Sequence, residues 1–165
     1  MNEHELLHSI YSESTQSKTI TIGPGDDMGE LLIGKERVLC AIDQLIVGIH
    51  ISPEIPPECI GRKAIARCFS DVAAMAAIPR GSLMTACVPH DVTNDWCEKV
   101  FAGAKDAAKL WGGPIFGGDI AASKGPAVFT VTAIAIPHGS DAITRTGAQS
   151  GDYICVSGEL GNSID

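Results

Sequence analysis

Four aspartates stand where a hydrophobic core would exclude them. Asp27 lies in the turn "GPGDDMG" (23–29), Asp43 ends the run "VLCAI", Asp71 sits in the middle of an apolar helical pattern, and Asp119 follows "PIFGG". A carboxylate removed from water is costly unless it is paired, hydrogen-bonded or bound to a metal. Singly, such residues read as solvated turns or helix caps, since Gly, Pro and Asp are the usual turn formers. Together, at chain breaks and strand ends, they are placed so that distant segments can bring them to one point. Two unit charges about 4 Å apart, at an effective dielectric near 20, repel by about 4 kcal/mol, so the cluster would not stay ionised without cations. Oxygen donors with neither Cys nor His favour Mg²⁺, which keeps waters and substrate phosphates as its other ligands. The chemistry this predicts is metal-bridged phosphoryl transfer, in which the protein positions and neutralises.

Other residues fit that chemistry. "PIFGGD" followed by "SKG" supplies a second glycine turn, and "TRTGA" supplies Arg145, a forked donor suited to phosphate. His50 follows Asp43 by seven residues, although a lone histidine is more often structural than catalytic. Neither G-x-x-x-x-G-K-[ST] nor G-x-G-x-x-G is present, which leaves out the P-loop and Rossmann routes.

The elements that must carry these residues follow from periodicity. Residues 3–13 have helical spacing, with Leu6, Leu7, Ile10 and Tyr11 on one side. "GELLIG" and "RVLCAIDQLIVGIHI" are β-rich and separated by the polar "KER", which predicts a hairpin with a charged tip, and the second run is long enough to hide two further strands. "SPEIPPE" breaks the chain and sets up a helix start. Residues 58–77 then repeat apolar residues at 60, 64, 65, 68, 69, 72, 75 and 76, the spacing of a helix. "SLMTACVP" reads as a strand, "NDWCEKVFAGAKDAAKLWG" as an amphipathic helix with Asn94 or Asp95 near its cap, and "PIFGGD" as a short strand entering a turn. "PAVFTVTAIAIP" reads as a long strand, and "RTGAQSGDYICVSGELG" as a turn, one more strand and a glycine-rich exit. Strands in adjacent pairs around two long helices predict an α+β layer, one sheet with helices on one face.

Composition bounds the function. The 165 residues fit one domain and carry 12 Lys plus Arg against 20 Asp plus Glu, a formal charge of -8. Without a basic patch such a chain repels a nucleic-acid backbone, so no nucleic-acid partner is expected. The start "MNEHELLHSIYSES" lacks the apolar stretch of a signal peptide, and the longest apolar run is too short to span a bilayer, so a cytoplasmic protein without membrane contact is expected. The six cysteines form no C-x-x-C pair and lie mostly in apolar segments, where they read as core residues in a reducing compartment.

Taken in order, "GPGDD", "IDQLIVGIH", "IGRKAIARCFSDVAAMAAIP", "FGGD" and "TRTGAQSGDYICVSGELGNS" resemble the ATP-utilising superfamily of aminoimidazole ribonucleotide synthetase, most closely the thiamine-monophosphate kinase family. The resemblance implies Mg²⁺ ligands at Asp27, Asp43, Asp71 and Asp119, ATP contacts at Gly117, Gly118 and Arg145, and a substrate contact at His50. It implies a four-stranded mixed or antiparallel sheet with helices on one face, two copies closing a barrel across a homodimer. The implied reaction is ATP plus thiamine monophosphate giving ADP plus thiamine diphosphate, by direct in-line transfer with several Mg²⁺ ions. The implied organisation is an N-terminal helix and lead-in over 1–22, an ATP- and Mg-binding domain over 23–150, and the start of an interdomain joint over 151–165. A chain that stops there is expected to be the N-terminal half and inactive alone. In this chain Ala41 and Ile42 stand where the family often has hydroxyl residues before the second aspartate. Selenophosphate synthetase, the hydrogenase-maturation protein and a non-catalytic dimeric module that binds nucleotide or Mg²⁺ are the rival readings. The Asp26–Asp27 pair and His50 favour the thiamine enzyme over its sister enzymes, and the four aspartates speak against a decayed module.

Overall fold

The polar "KER" does mark a hairpin tip. A computed structural model describes residues 3–12, 17–156 and 158–159. In it β2 (Gly29–Ile33) turns directly into β3 (Glu36–Ile46), with Ile33 opposite Glu36 and Gly34 at a φ of 65°. A two-residue hairpin loop needs such a left-handed position, which costs glycine nothing. The run after the tip is one strand, not several. It ends in a turn over residues 47–51, closed when the Gly48 N–H donates to the Ile51 carbonyl.

Helix α1 (Glu3–Ser12) and the three-residue strand β1 (Ile20–Ile22) precede this hairpin. After it come α2 (Pro57–Ala74), β4 (Ala77–Pro89), α3 (Asn94–Leu110), β5 (Ile115–Ser123) and β6 (Val128–Pro137). The sheet has six strands in the order β1-β2-β3-β6-β4-β5, antiparallel except for the β4–β5 pair. The expected four-strand count is therefore corrected. Strand β1 is too short to show alternation, and β5 is too rich in glycine and alanine to read as more than a fragment. Among the described residues no strand follows β6, so the strand expected within residues 145–161 is not found in the described part of that stretch. Residues 157 and 160–165 of the expected joint lie outside the described residues.

One face of the sheet is apolar and closed. Leu39, Ala41 and Leu45 of β3, Phe129, Val131, Ala133 and Ala135 of β6, and Met84, Ala86 and Val88 of β4 are all buried, at every second position of their strands. That period of two is what a strand with one packed face requires. Against it lie Ile60, Ala64, Ile65, Cys68 and Val72 of α2, with Val100, Ala104, Ala107 and Ala108 of α3 packed into the same core. Pro57 in the first turn starts α2, and Thr93, rather than the expected Asn94 or Asp95, caps α3 by accepting the Trp96 N–H at 3.1 Å.

The two long helices touch backbone to backbone. A Cβ on Gly61 would lie 1.8 Å from the Val100 carbonyl oxygen, and one on Gly103 would lie 2.0 Å from that of Glu58. This contact fixes the height of α2 above the sheet, and α2 carries Asp71.

Candidate phosphate and metal site

The turn that holds Asp27 is clamped to the end of α2. Gly25 takes a φ of 119°, and just beyond it the buried Met28 donates its N–H to the Met75 sulfur at 3.0 Å. The Met75 carbonyl in turn accepts the Ile143 N–H at 3.3 Å. Met75 thus draws two segments, one bearing Asp27 and the other Arg145, to the C-terminal end of α2, a turn beyond Asp71. Nothing in the pattern of Met75 marked it as more than another core position.

Arg145 closes the arrangement. Its Nε donates to Asp27 Oδ2 at 3.2 Å and its Nη2 donates to Asp27 Oδ1, while its backbone N–H donates to Asp26 Oδ2 at 3.2 Å. Asp26 also accepts the Asp27 N–H at 3.0 Å. The two adjacent carboxylates therefore divide the work: Asp26 shapes the turn and Asp27 faces the arginine. The Arg145 hydrogen bond holds the Asp27 carboxyl below the ordinary aspartate range, against the opposing effect of burial.

Asp71 is pushed the other way. Burial raises its carboxyl, and the charges of Asp43 and Asp27 raise it further. Asp27 and Asp43 are thus near enough for their charges to act on Asp71. Asp43, on the helix-facing side of β3, pairs with Arg67 of α2 at 3.1 Å and accepts the Gln44 N–H at 2.7 Å. Beneath it Cys68 donates its thiol to the Ala41 carbonyl at 3.6 Å, and its own acidity is suppressed to about 12, chiefly by burial. Three carboxylates thus face two guanidinium groups, with Asp71 outside any salt bridge among the described residues.

Asp119 is not part of this gathering. Asp43 is in register with Val131, Val131 with Met84, and Met84 with Gly118, next to Asp119. Three strand spacings of about 4.8 Å set Asp119 about 14 Å from Asp43. "FGGD" is also not a turn but the middle of β5, and Gly118 is needed by the sheet itself, since a Cβ there would lie 1.9 Å from the Met84 carbonyl oxygen. Gly118 and Asp119 do line an open cleft of about 350 Å³ with Met84, Phe101 and Ile120. His50 lies in the turn after β3, where its Nδ1 accepts the Ile46 N–H at 2.9 Å. That bond orients the imidazole and leaves Nε2 as its outward-bonding nitrogen.

The donor set suits a hard divalent ion, being carboxylate oxygen throughout, with more negative charge than the arginines neutralise. No group of three or more His, Cys, Asp or Glu is drawn together tightly enough to hold a metal among the described residues. Arg145 engages both oxygens of Asp27, whereas Arg67 and the Gln44 N–H both engage Oδ1 of Asp43. A metal at Asp27 would have to take the place of Arg145.

A second acidic site went unnoticed in the sequence. Glu30 of β2 is buried to 1% exposure, and its Oε1 accepts from Arg37 Nη2 at 2.8 Å, Arg37 Nε at 3.0 Å and the Thr21 hydroxyl. Arg37 Nη1 continues to Asp141 Oδ1 at 2.6 Å and to the Ser140 carbonyl at 2.9 Å. This chain of contacts ties the hairpin to the segment that delivers Arg145. Its signal was the hairpin register, which sets Leu32 opposite Arg37 and so places Glu30 on the diagonal.

Residues 25–136 match the family described as AIR synthase related protein, N-terminal domain. The thiamine-monophosphate kinase of Bacillus subtilis (strain 168) is 32% identical over 166 residues, covering 99% of this chain and 51% of that protein. That of Escherichia coli (strain K12) is 33% identical over 163 residues, covering 98% and 49%. The chain therefore spans about half the length of the curated relatives it matches. Among solved structures, AaThiL complexed with AMPPCP and TMP superposes with a TM-score of 0.78 at 27% identity, covering 89% of this chain and 45% of that one. A hydrogenase maturation protein HypE in complex with ATP shares the fold, with a TM-score of 0.56 at 19% identity and covering 86% and 42%. The chain belongs to the AIR synthase related family, whose N-terminal domain it contains.

Proposed function

We propose that this chain is the magnesium- and nucleotide-binding part of a thiamine-monophosphate kinase. The observation that carries the reading is the convergence of Asp27, Asp71 and Arg145 at the end of α2, in a chain similar over almost its whole length to proteins of that name. The reaction is transfer of the γ-phosphoryl group of ATP to a phosphate oxygen of thiamine monophosphate. The new P–O bond forms in line as the bond to ADP breaks.

In this reading Asp27 and Asp71 are the first ligands for Mg²⁺, which supplies charge neutralisation on the phosphates when bound. Asp43 shares its Oδ1 with Arg67, and Asp119 approaches the others only if substrate or further protein bridges β5 to α2. Arg145, turned from Asp27, grips a phosphate oxygen with its two-pronged guanidinium. Gly117 and Gly118 offer β5 backbone to the nucleotide, Gly118 at the cleft beside Phe101. His50 directs Nε2 to thiamine monophosphate.

The homodimer and its barrel belong to the same proposal. The sheet face opposite α2 leaves Ile42 70% exposed and Phe116 64% exposed, an apolar surface suited to a second copy. A cytoplasmic location belongs to the same proposal. Among the described residues no helix is long and apolar enough to cross a membrane. The test is calorimetric titration of a non-hydrolysable ATP analogue into the chain with and without Mg²⁺, followed by Asp71→Asn and Asp26→Asn. Magnesium-dependent binding, reduced far more by Asp71→Asn, is expected. Equal effects of the two substitutions would count against the assignment.

A further inference from the structure

The two arginines at the acidic cleft are held differently. Arg145 reaches Asp27 from an exposed segment after β6 and is itself 60% exposed, so its two hydrogen bonds to Asp27 lie open to competition from water, a cation or a phosphate. Arg67 projects from the interior of an 18-residue helix, beside the fully buried Cys68. Its Nη2 meets Asp43 Oδ1 at 3.1 Å, and its Nε is buried without a hydrogen-bond partner. Turning it away would leave Asp43 repelling Asp71 without a neighbouring positive charge.

Asp43 also has little else to offer a metal. The preceding residues on β3, Ala41 and Ile42, carry no side-chain oxygen, and the Gln44 amide donates to the Thr130 hydroxyl at 3.3 Å. A magnesium ion wants six oxygens in near-octahedral array, and here it would find one carboxylate whose Oδ1 already accepts from Arg67 and from the Gln44 N–H.

We propose that Arg67 is the resident cation of the Asp43 corner, taking the place of a divalent ion, so that metal in this cleft gathers at Asp27 and Asp71 and not at Asp43. The inference rests on reading the cleft as a metal site. It differs from that reading in assigning Asp43 to a protein cation. A guanidinium always present would neutralise Asp43 at any metal concentration.

The test uses the full chain and Mn²⁺ alone, counted by electron paramagnetic resonance of the free ion. Arg67→Met is expected to bind one more Mn²⁺ per chain, or to bind Mn²⁺ at least about tenfold more tightly. Arg67→Lys, which keeps the charge, is expected to leave the count unchanged. Asp43→Asn alone is expected to leave Mn²⁺ binding near that of the unmodified chain, and in the Arg67→Met background to abolish the gain. The proposal is overturned if Arg67→Met folds and gains nothing, or if Asp43→Asn alone lowers binding as much as Asp71→Asn. Should Arg67→Met fail to fold, that comparison of Asp43→Asn with Asp71→Asn decides. A gain in Arg67→Met over an unmodified chain that binds no Mn²⁺ would uphold the proposal and count against the magnesium reading. Binding by the unmodified chain with no gain would do the reverse.

Discussion

Replacing Gly61 by alanine tests whether the helix crossing sets the height of the site. At a solvent-facing position in a helix the change would stabilise the chain by about 1 kcal/mol, because alanine has the better helix propensity. Here the new carbon would sit 1.8 Å from the Val100 carbonyl oxygen and 2.7 Å from the Ala104 nitrogen. The first of these lies roughly 1.5–2 Å inside an ordinary contact distance. Both neighbours are backbone of a regular helix, so α2 and α3 must separate, and contacts among Ile60, Ala64, Val100 and Ala104 open with them. Overpacking of this kind costs about 1–3 kcal/mol and more where backbone must move, so a net loss of about 2 kcal/mol is expected after the propensity gain. Gly103→Ala should cost a similar amount, since its Cβ would meet the Glu58 carbonyl at 2.0 Å. The double variant should cost clearly less than the two losses added, because one separation relieves both clashes. Urea denaturation followed by far-ultraviolet circular dichroism gives all three values. Stabilisation by Gly61→Ala, or strict additivity, would refute the crossing as described.

Other expectations concern single residues. Ala76, just beyond α2, has a φ of 47°, a left-handed conformation that costs an L-residue about 1 kcal/mol, so Ala76→Gly should raise the urea midpoint. The Asp71 carboxyl binds its proton more tightly folded than at its ordinary value of 3.8, so its share of stability is full below that value and is lost as pH rises through the raised one. Asp71→Asn should remove that fall from a pH series of thermal melts made without metal. Asp27, held low by Arg145, works in the opposite sense, its contribution being lost as pH falls below 3.8. Cys59 and Cys155 are exposed while Cys68 is buried, so a thiol reagent at pH 8 should modify the first two at once and Cys68 only on unfolding. In the proposed homodimer, Ile42→Asp on the apolar open face should shift the chain to monomer in analytical ultracentrifugation, and leave the melting temperature of the monomer nearly unchanged.

The fold was most legible where one period ran long. The helical spacing over 58–77 and the alternation in "AVFTVTAIAIP" correspond to α2 and β6, because each turns one apolar face into the same core. It was least legible in β1 and β5, where three residues, or a run of glycine and alanine, leave no alternation to read and pairing with neighbours decides. Of the site, Asp27, Asp43, Asp71 and Arg145 stood out because charge interrupted apolar or glycine-rich stretches. Asp119 stood out for the same reason, yet the register carries it to the far edge of the sheet. Arg67 gave no signal, since a basic residue in an amphipathic helix looks like one more solvated position until β3 is seen beneath it. Met75 was read as core, which is true, but its role depends on the sulfur and carbonyl contacts that fix two loops.

The central claim is that Asp27, Asp71 and Arg145 form a metal-dependent phosphate site, and the titration of an ATP analogue into this chain with and without Mg²⁺ tests it most directly. The account predicts binding that requires Mg²⁺, is abolished by Asp71→Asn and is weakened at least about tenfold by Arg145→Met. Binding of equal strength without the metal, or no loss on either substitution, would contradict it.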